Sequence, residues 1–253
     1  MKISNKKITK AIIYTIVSLV AFGQLFPLIW LFNYSLCKSG DLFVSGILKF
    51  PDPPQWQNYV TAWVDGKVPQ YLLNSVIVTT TTIVITIFLS LTLGYAFTRM
   101  KWKLRGTFLA IILLGMMIPI HATLLPNFFI FSKIGLSNTY QGLIIPYTAF
   151  SLPLGVFVMT GFMETLPSSL EESAVLDGCG IYRIVFQIVF PLTKPAVVTV
   201  AIMTFLTCWN EFIMAVTYLT SDKYRTLPFA VYNFAGQYIS NYAVQFAVMG
   251  LTA

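Results

Sequence analysis

Long apolar runs separated by short polar stretches dominate the chain. A hydrocarbon core of ~30 Å takes about 20 mostly apolar residues to cross as a helix, and residues 11–34, 71–98, 107–131, 142–163 and 196–220 all qualify. A sixth run opens near Tyr242 and reaches only Ala253, so six spans are expected, the sixth truncated here. The pattern predicts an all-α polytopic membrane bundle, with a short N-terminal segment over 1–10 and a single transmembrane domain over 11–253. The first run follows Lys2, Lys6, Lys7 and Lys10. It is longer than the apolar core of a signal peptide and no small-residue cleavage site follows it, which predicts an uncleaved anchor.

Several runs carry residues that a plain anchor avoids: Pro119 and Pro126 in the third, and Pro146, Pro153 and Gly155 in the fourth. A proline removes a backbone donor, and the freed groups are tolerated at membrane depth where helices pack on protein or line a wet cavity. Ordinary kinking accounts for any one of these prolines. Together they favour a transport bundle.

Composition agrees with the pattern. The chain is 57% hydrophobic and only 10% charged, against about a quarter charged in a soluble domain. The net charge of +7 fits nucleic acid or cytoplasmic loops, and position decides between them. The basic residues cluster beside the spans, with four lysines before the first and Arg99, Lys101, Lys103 and Arg105 between the second and third. Segment 35–70 offers only Lys38, Lys49 and Lys67, offset by Asp41, Asp52 and Asp65. Cytoplasmic loops carry the excess of Lys and Arg, so the N-terminus and residues 164–194 are predicted inside and residues 221–241 outside. Cys37, Cys179 and Cys208 are far apart and unpaired in pattern, suggesting neither a disulfide framework nor a zinc site.

The cytoplasmic segment 164–194 carries the most information. Ser168 and Ser169 each have a Glu three residues later, the capping-box spacing, so a short helix is predicted here, stopped by Asp177 and Gly178. Ile181, Ile184, Val185, Ile188 and Val189 then recur at helical spacing before Pro191 and Pro195. A helix, a sharp turn and a second helix are expected on the inner face.

The order Glu172-Ser173-Ala174, Asp177-Gly178, Ile188 and Phe190-Pro191-Leu192 resembles the EAA loop of permease subunits of binding-protein-dependent ABC importers. The likeness continues through the stretch from Ile134-Gly135-Leu136 to Ser137-Asn138-Thr139, through Trp209-Asn210-Glu211-Phe212, and to Thr226-Leu227-Pro228. It is closest to the maltose-type carbohydrate branch and its second, shorter permease subunit (MalG-like). Ser173 stands where that pattern prefers Ala, Cys179 where a small Ala is usual, and Phe190 where Leu is usual. The resemblance implies a type I importer permease fold. It also implies that residues 171–177 form the coupling helix seated in a cytoplasmic ATPase subunit, with Glu171 and Glu172 as charged contacts, Ser173 beside them, Ala174 as the close-approach point, Asp177 at the helix end and Gly178 as the turn. The implied partners are a second permease subunit, a dimer of ATPase subunits and an extracytoplasmic solute-binding protein. No cofactor is implied for this chain, ATP being bound by the partner. The sequence itself holds no phosphate-binding Gly-Lys-Ser/Thr loop, so the chain is read as a non-catalytic subunit.

Glu211 is the one acidic residue placed inside a span. Thr204, Thr207, Cys208, Glu211 and Tyr218 recur at helical spacing, with Asn210 alongside. Such a stripe reads as a translocation-path lining of Thr204, Thr207, Asn210 and Glu211 for sugar hydroxyls, or as a tie between helices. An ion-coupled carrier using Glu211 is a further reading, as is an ABC permease for a non-sugar solute. His121, the lone histidine, reads first as a packed donor.

Overall fold

The structure is a computed structural model that describes residues 2–40, 50–235 and 241–252, with side chains from residue 7. Asp41 and Lys49, which entered the orientation argument, lie outside the described residues. In chain order the helices are α1 (Lys2–Ser35), α2 (Gln57–Val64), α3 (Val68–Thr98), α4 (Arg105–Leu114), α5 (Leu124–Ile134), α6 (Gln141–Glu164) and α7 (Ser169–Leu176). There follow α8 (Ile181–Arg183), α9 (Phe190–Leu192), α10 (Lys194–Asn210), α11 (Ile213–Tyr218), α12 (Pro228–Tyr232) and α13 (Tyr242–Thr252). Among the described residues there is no strand.

The chain divides into two compact units, one of Met1–Gln70 with Leu227–Ala253 and one of Tyr71–Thr226. In the first, the apolar stretch of α1 has no buried residue in its hydrophobic window. Ile12, Leu19 and Phe22 point out of the protein, as expected of a helix whose solvent is lipid. Only its end is held: Tyr34 and Cys37 pack with Ala243, beside Trp30 and Phe246. The Asn58 amide donates to the carbonyls of Ser35 and Cys37 at 2.8 and 2.9 Å, satisfying groups that a helix terminus leaves open. The sixth run forms α13, 11 residues long.

In the second unit α6 packs along α3 and α4 at positions where no side chain intervenes. A Cβ at Gly155 would lie 2.2 Å from Ser90 Oγ, and one at Gly115 would lie 2.9 Å from the ring of Pro153. That packing explains a departure from expectation: α6 runs unbroken through Pro146 and Pro153, because both prolines and Gly155 are buried against protein. The third run does break, bending by 94° between Met117 and Ile120. Ile118 and Pro119 are extended there, with ψ of 117° and 122°. Pro126 falls in the first turn of α5, where its missing N–H costs no helical bond.

The fifth run also departs from a simple span. It is bent by 76° against the preceding helical segment and stops at Asn210, since Glu211 is extended with ψ of 128°. Among the described residues three helices are long and apolar enough to cross a membrane, and counting each of the two bent pairs as one span brings the number to five.

Candidate functional site

The turn between α6 and α10 forms as the sequence predicts, with a different start. Ser168 makes no side-chain bond to the backbone of α7. Its hydroxyl donates instead to Glu172 Oε1 at 3.0 Å, because Ser168 itself has taken helical torsions and turned its side chain away from the free amides. The helix end is as expected. Gly178 has φ +81°, Cys179 N–H donates to Ala174 O at 2.9 Å and Gly178 N–H to Val175 O at 3.0 Å. This is the Schellman pair that closes a helix on a left-handed residue. A π-helical stretch over Ile184–Val189 follows, its Ile184, Val185 and Val189 buried with Leu91, Tyr95, Met163 and Ala174.

That cluster decides which face of α7 is inward. Ala174 is 6% exposed and lies on the chain's own core, because the helix needs a small side chain where it crosses α3. Glu171 also turns inward: Oε1 lies 2.8 Å from Arg99 Nε, with the two side chains 13% and 16% exposed. Arg99 Nη2 also donates to the carbonyls of Met163 and Leu166 at 2.9 and 2.7 Å. Glu172, Ser173, Asp177 and Gly178 are exposed. Leu170, Val175 and Leu176 are exposed with them at 44%, 59% and 88%. The outward face of α7 is therefore mixed polar and apolar. Sequence reasoning used Arg99 only for orientation; its buried role depends on a residue 72 positions away, and no local signal carries that.

The second place is the break after α10. Glu211 does not continue the stripe, since the helix ends one residue before it. Its Oε1 accepts from Met214 N–H at 2.7 Å, and its Oε2 from Ala215 N–H at 3.2 Å and from Tyr147 Oη at 2.6 Å. The carboxylate thus caps the first turn of α11 and joins it to α6, which is how a charge is accommodated at this depth. Thr204 is buried, and with Thr207 it lines a cleft of about 70 Å³ beside Ile120, Ser151, Gly155 and Val200. Thr207 and Asn210 are exposed and bond back to their own helix, to Met203 O and Leu206 O at 2.9 Å each. The structure brings Thr204 and Thr207 together and leaves Asn210 and Glu211 outside that cleft. His121 is exposed in the short turn after Pro119.

A third arrangement was missed. Asn138, at φ +56°, accepts on Oδ1 from the amides of Thr220 and Ser221 at 2.7 Å each, and its own N–H donates to Tyr218 O at 3.1 Å. The buried Asn74 amide donates to Lys223 O and Arg225 O at 3.0 and 2.8 Å and accepts from Tyr140 Oη at 2.8 Å. Two asparagines hold the segment after α11. The positive-φ tolerance of Asn was the one signal available.

A bent-helix bundle that carries a capped helix pair on one loop is the architecture of type I importer permeases. A solved bacterial ABC transporter involved in the import of the acidic polysaccharide alginate matches it with a TM-score of 0.82, over 97% of this chain and 91% of that chain, at 20% identity. Residues 86–252 match the family described as binding-protein-dependent transport system inner membrane component, and the chain belongs to that family. It is 35% identical to a putative ABC transporter permease of a Caldicellulosiruptor species, over 89% of this chain and 82% of the relative. It is also 34% identical to the sulfoquinovosyl glycerol transport system permease SmoH of Agrobacterium fabrum, over 87% of this chain and 78% of that one. The chain is a multi-pass membrane protein and a non-catalytic subunit, as its family is. Family membership sets aside the ion-coupled reading of Glu211.

Proposed function

We propose that the chain is one of two permease subunits of an ABC importer for a sugar or oligosaccharide. It forms half of the translocation pathway, its N-terminus lies in the cytoplasm, and α7 docks in a cleft of an ATPase subunit. The observation that carries the docking is the outward face of α7. Glu172 and Asp177 sit among exposed Leu170, Val175 and Leu176, a combination that a water-facing helix has no reason to keep and a partner cleft would cover. The rigid Schellman end at Gly178 suits a lever.

The carbohydrate assignment rests on the relatives, among them the sulfoquinovosyl glycerol permease and a trehalose/maltose transport permease of Thermococcus litoralis. A second permease, an ATPase dimer that binds ATP and an extracytoplasmic solute-binding protein complete the importer. Thr204, Thr207 and Asn210 line the path at the height of the α10 break, and Glu211 holds that break open. A neutral, hydroxyl-rich solute suits a lining of hydroxyl and amide groups. Purification of the native complex tests the reading. An ATPase subunit and a second permease should be retained, and ATP-loaded vesicles should accumulate solute with an uncoupler present. Accumulation that the uncoupler abolishes would overturn it.

A further inference from the structure

Four cationic side chains lie at the inner end of α3 and just beyond it, and one of them is unlike the rest. Lys101, Lys103 and Arg105 are exposed, as orienting charges beside a span should be. Arg99 is half-buried, at 16% exposure, and joins two other parts of the chain: it pairs with Glu171 on α7 and donates to the carbonyls of Met163 and Leu166 at the end of α6. Tyr95, one turn earlier on α3, meets the same Glu171 carboxylate and packs with Ala174 beneath α7. Building on the importer reading above, we propose that Arg99 is the positioning residue of the coupling machinery, pinning α7 to the inner ends of α3 and α6 so that a push on α7 moves all three as one body.

The physical case has two parts. A helix of two turns resting on an apolar patch alone is free to slide, since such contacts are non-directional. The planar fork of an arginine fixes direction as well as distance; here Nη2 donates to two carbonyls at the negative end of α6, while the Nε edge forms the ion pair with Glu171. Glu171 is accordingly spent inside the chain, and Glu172 and Asp177 are left as the carboxylates presented to the partner. Arg99→Lys would supply the charge at a single point and could not pair Glu171 while keeping both carbonyls at the end of α6.

The assembled importer in proteoliposomes tests this, with Mg-ATP as the probe and the solute-binding protein purified in its native, solute-loaded form. The readout is ATP hydrolysis with the binding protein divided by hydrolysis without it, per ATPase subunit retained. For Arg99→Ala this ratio should fall about fivefold or more, within the usual range of coupling between sites. Arg99→Lys should recover part of the loss, and the milder Glu171→Gln should fall between. Arg99→Ala combined with Glu171→Ala should do no worse than Arg99→Ala alone, because both act through one contact. A wild-type ratio in Arg99→Ala, additive losses in the double variant, or a loss explained wholly by shedding of the ATPase subunit would each overturn the proposal. A wild-type complex that retains no ATPase subunit would instead overturn the importer reading on which it rests.

Discussion

Glu211 and Asn138 show how much a single polar side chain does in this protein. Glu211→Gln keeps an acceptor for the Met214 amide and a partner for the Tyr147 hydroxyl but sets its NH2 against the Ala215 N–H, so it should cost about 1 kcal/mol and preserve ATP-dependent uptake. Glu211→Leu leaves the first amides of α11 and the Tyr147 hydroxyl without a partner, and about 2–4 kcal/mol should be lost. Thermal unfolding of the two purified variants, side by side with wild type, checks the ordering; equal melting temperatures would mean that the cap is idle. Asn138→Ala removes the acceptor for the amides of Thr220 and Ser221 and places a side chain with little tolerance for φ +56°. About 2 kcal/mol of local stability should go, read as faster hydrogen exchange at residues 220 and 221. Asn138→Asp, which keeps the acceptor, should exchange more slowly than the alanine variant.

At the scale of elements, Gly178 is the position where sequence and structure agree most closely. Gly178→Ala should cost about 1–2 kcal/mol, the strain of a left-handed L-residue. Gly178→Pro is incompatible with φ +81° and should abolish stimulation of ATP hydrolysis by the binding protein while the chain still inserts. Uptake at the wild-type rate in the proline variant would show that α7 need not end where it does. The break at Pro119, the long spans and the helix pair of segment 164–194 were all legible, because each follows from run length, a missing donor or a turn residue. The break at Glu211 was not legible. Nothing in Trp209-Asn210-Glu211-Phe212 forbids a helix; the amides of Met214 and Ala215 are local donors to the carboxylate, but its third donor, Tyr147, comes from α6. Pro146 and Pro153 misled in the opposite sense, since α6 stays continuous through both while they are buried, the ring of Pro153 nesting against Gly115. The inward turn of Glu171 and Ala174 belongs to tertiary packing and has no sequence mark.

For the whole molecule, orientation is the testable consequence. A cysteine at Lys103 should react with an impermeant reagent only from the cytoplasmic side and one at Lys223 only from outside; external labelling at 103 would change the span count. The two-unit division has a consequence for biosynthesis. The unit that contains α1 also contains Leu227–Ala253, which is made only after the whole of Tyr71–Thr226. At ~5–20 residues per second, the ribosome takes on the order of ten seconds over that middle stretch. Throughout that interval Trp30 and Tyr34 lack the Phe246 against which they finally pack. Apart from the α2 contacts at its end, the first helix has lipid along its length while it waits, so its long uncovered apolar surface is also what keeps it in place until Phe246 arrives.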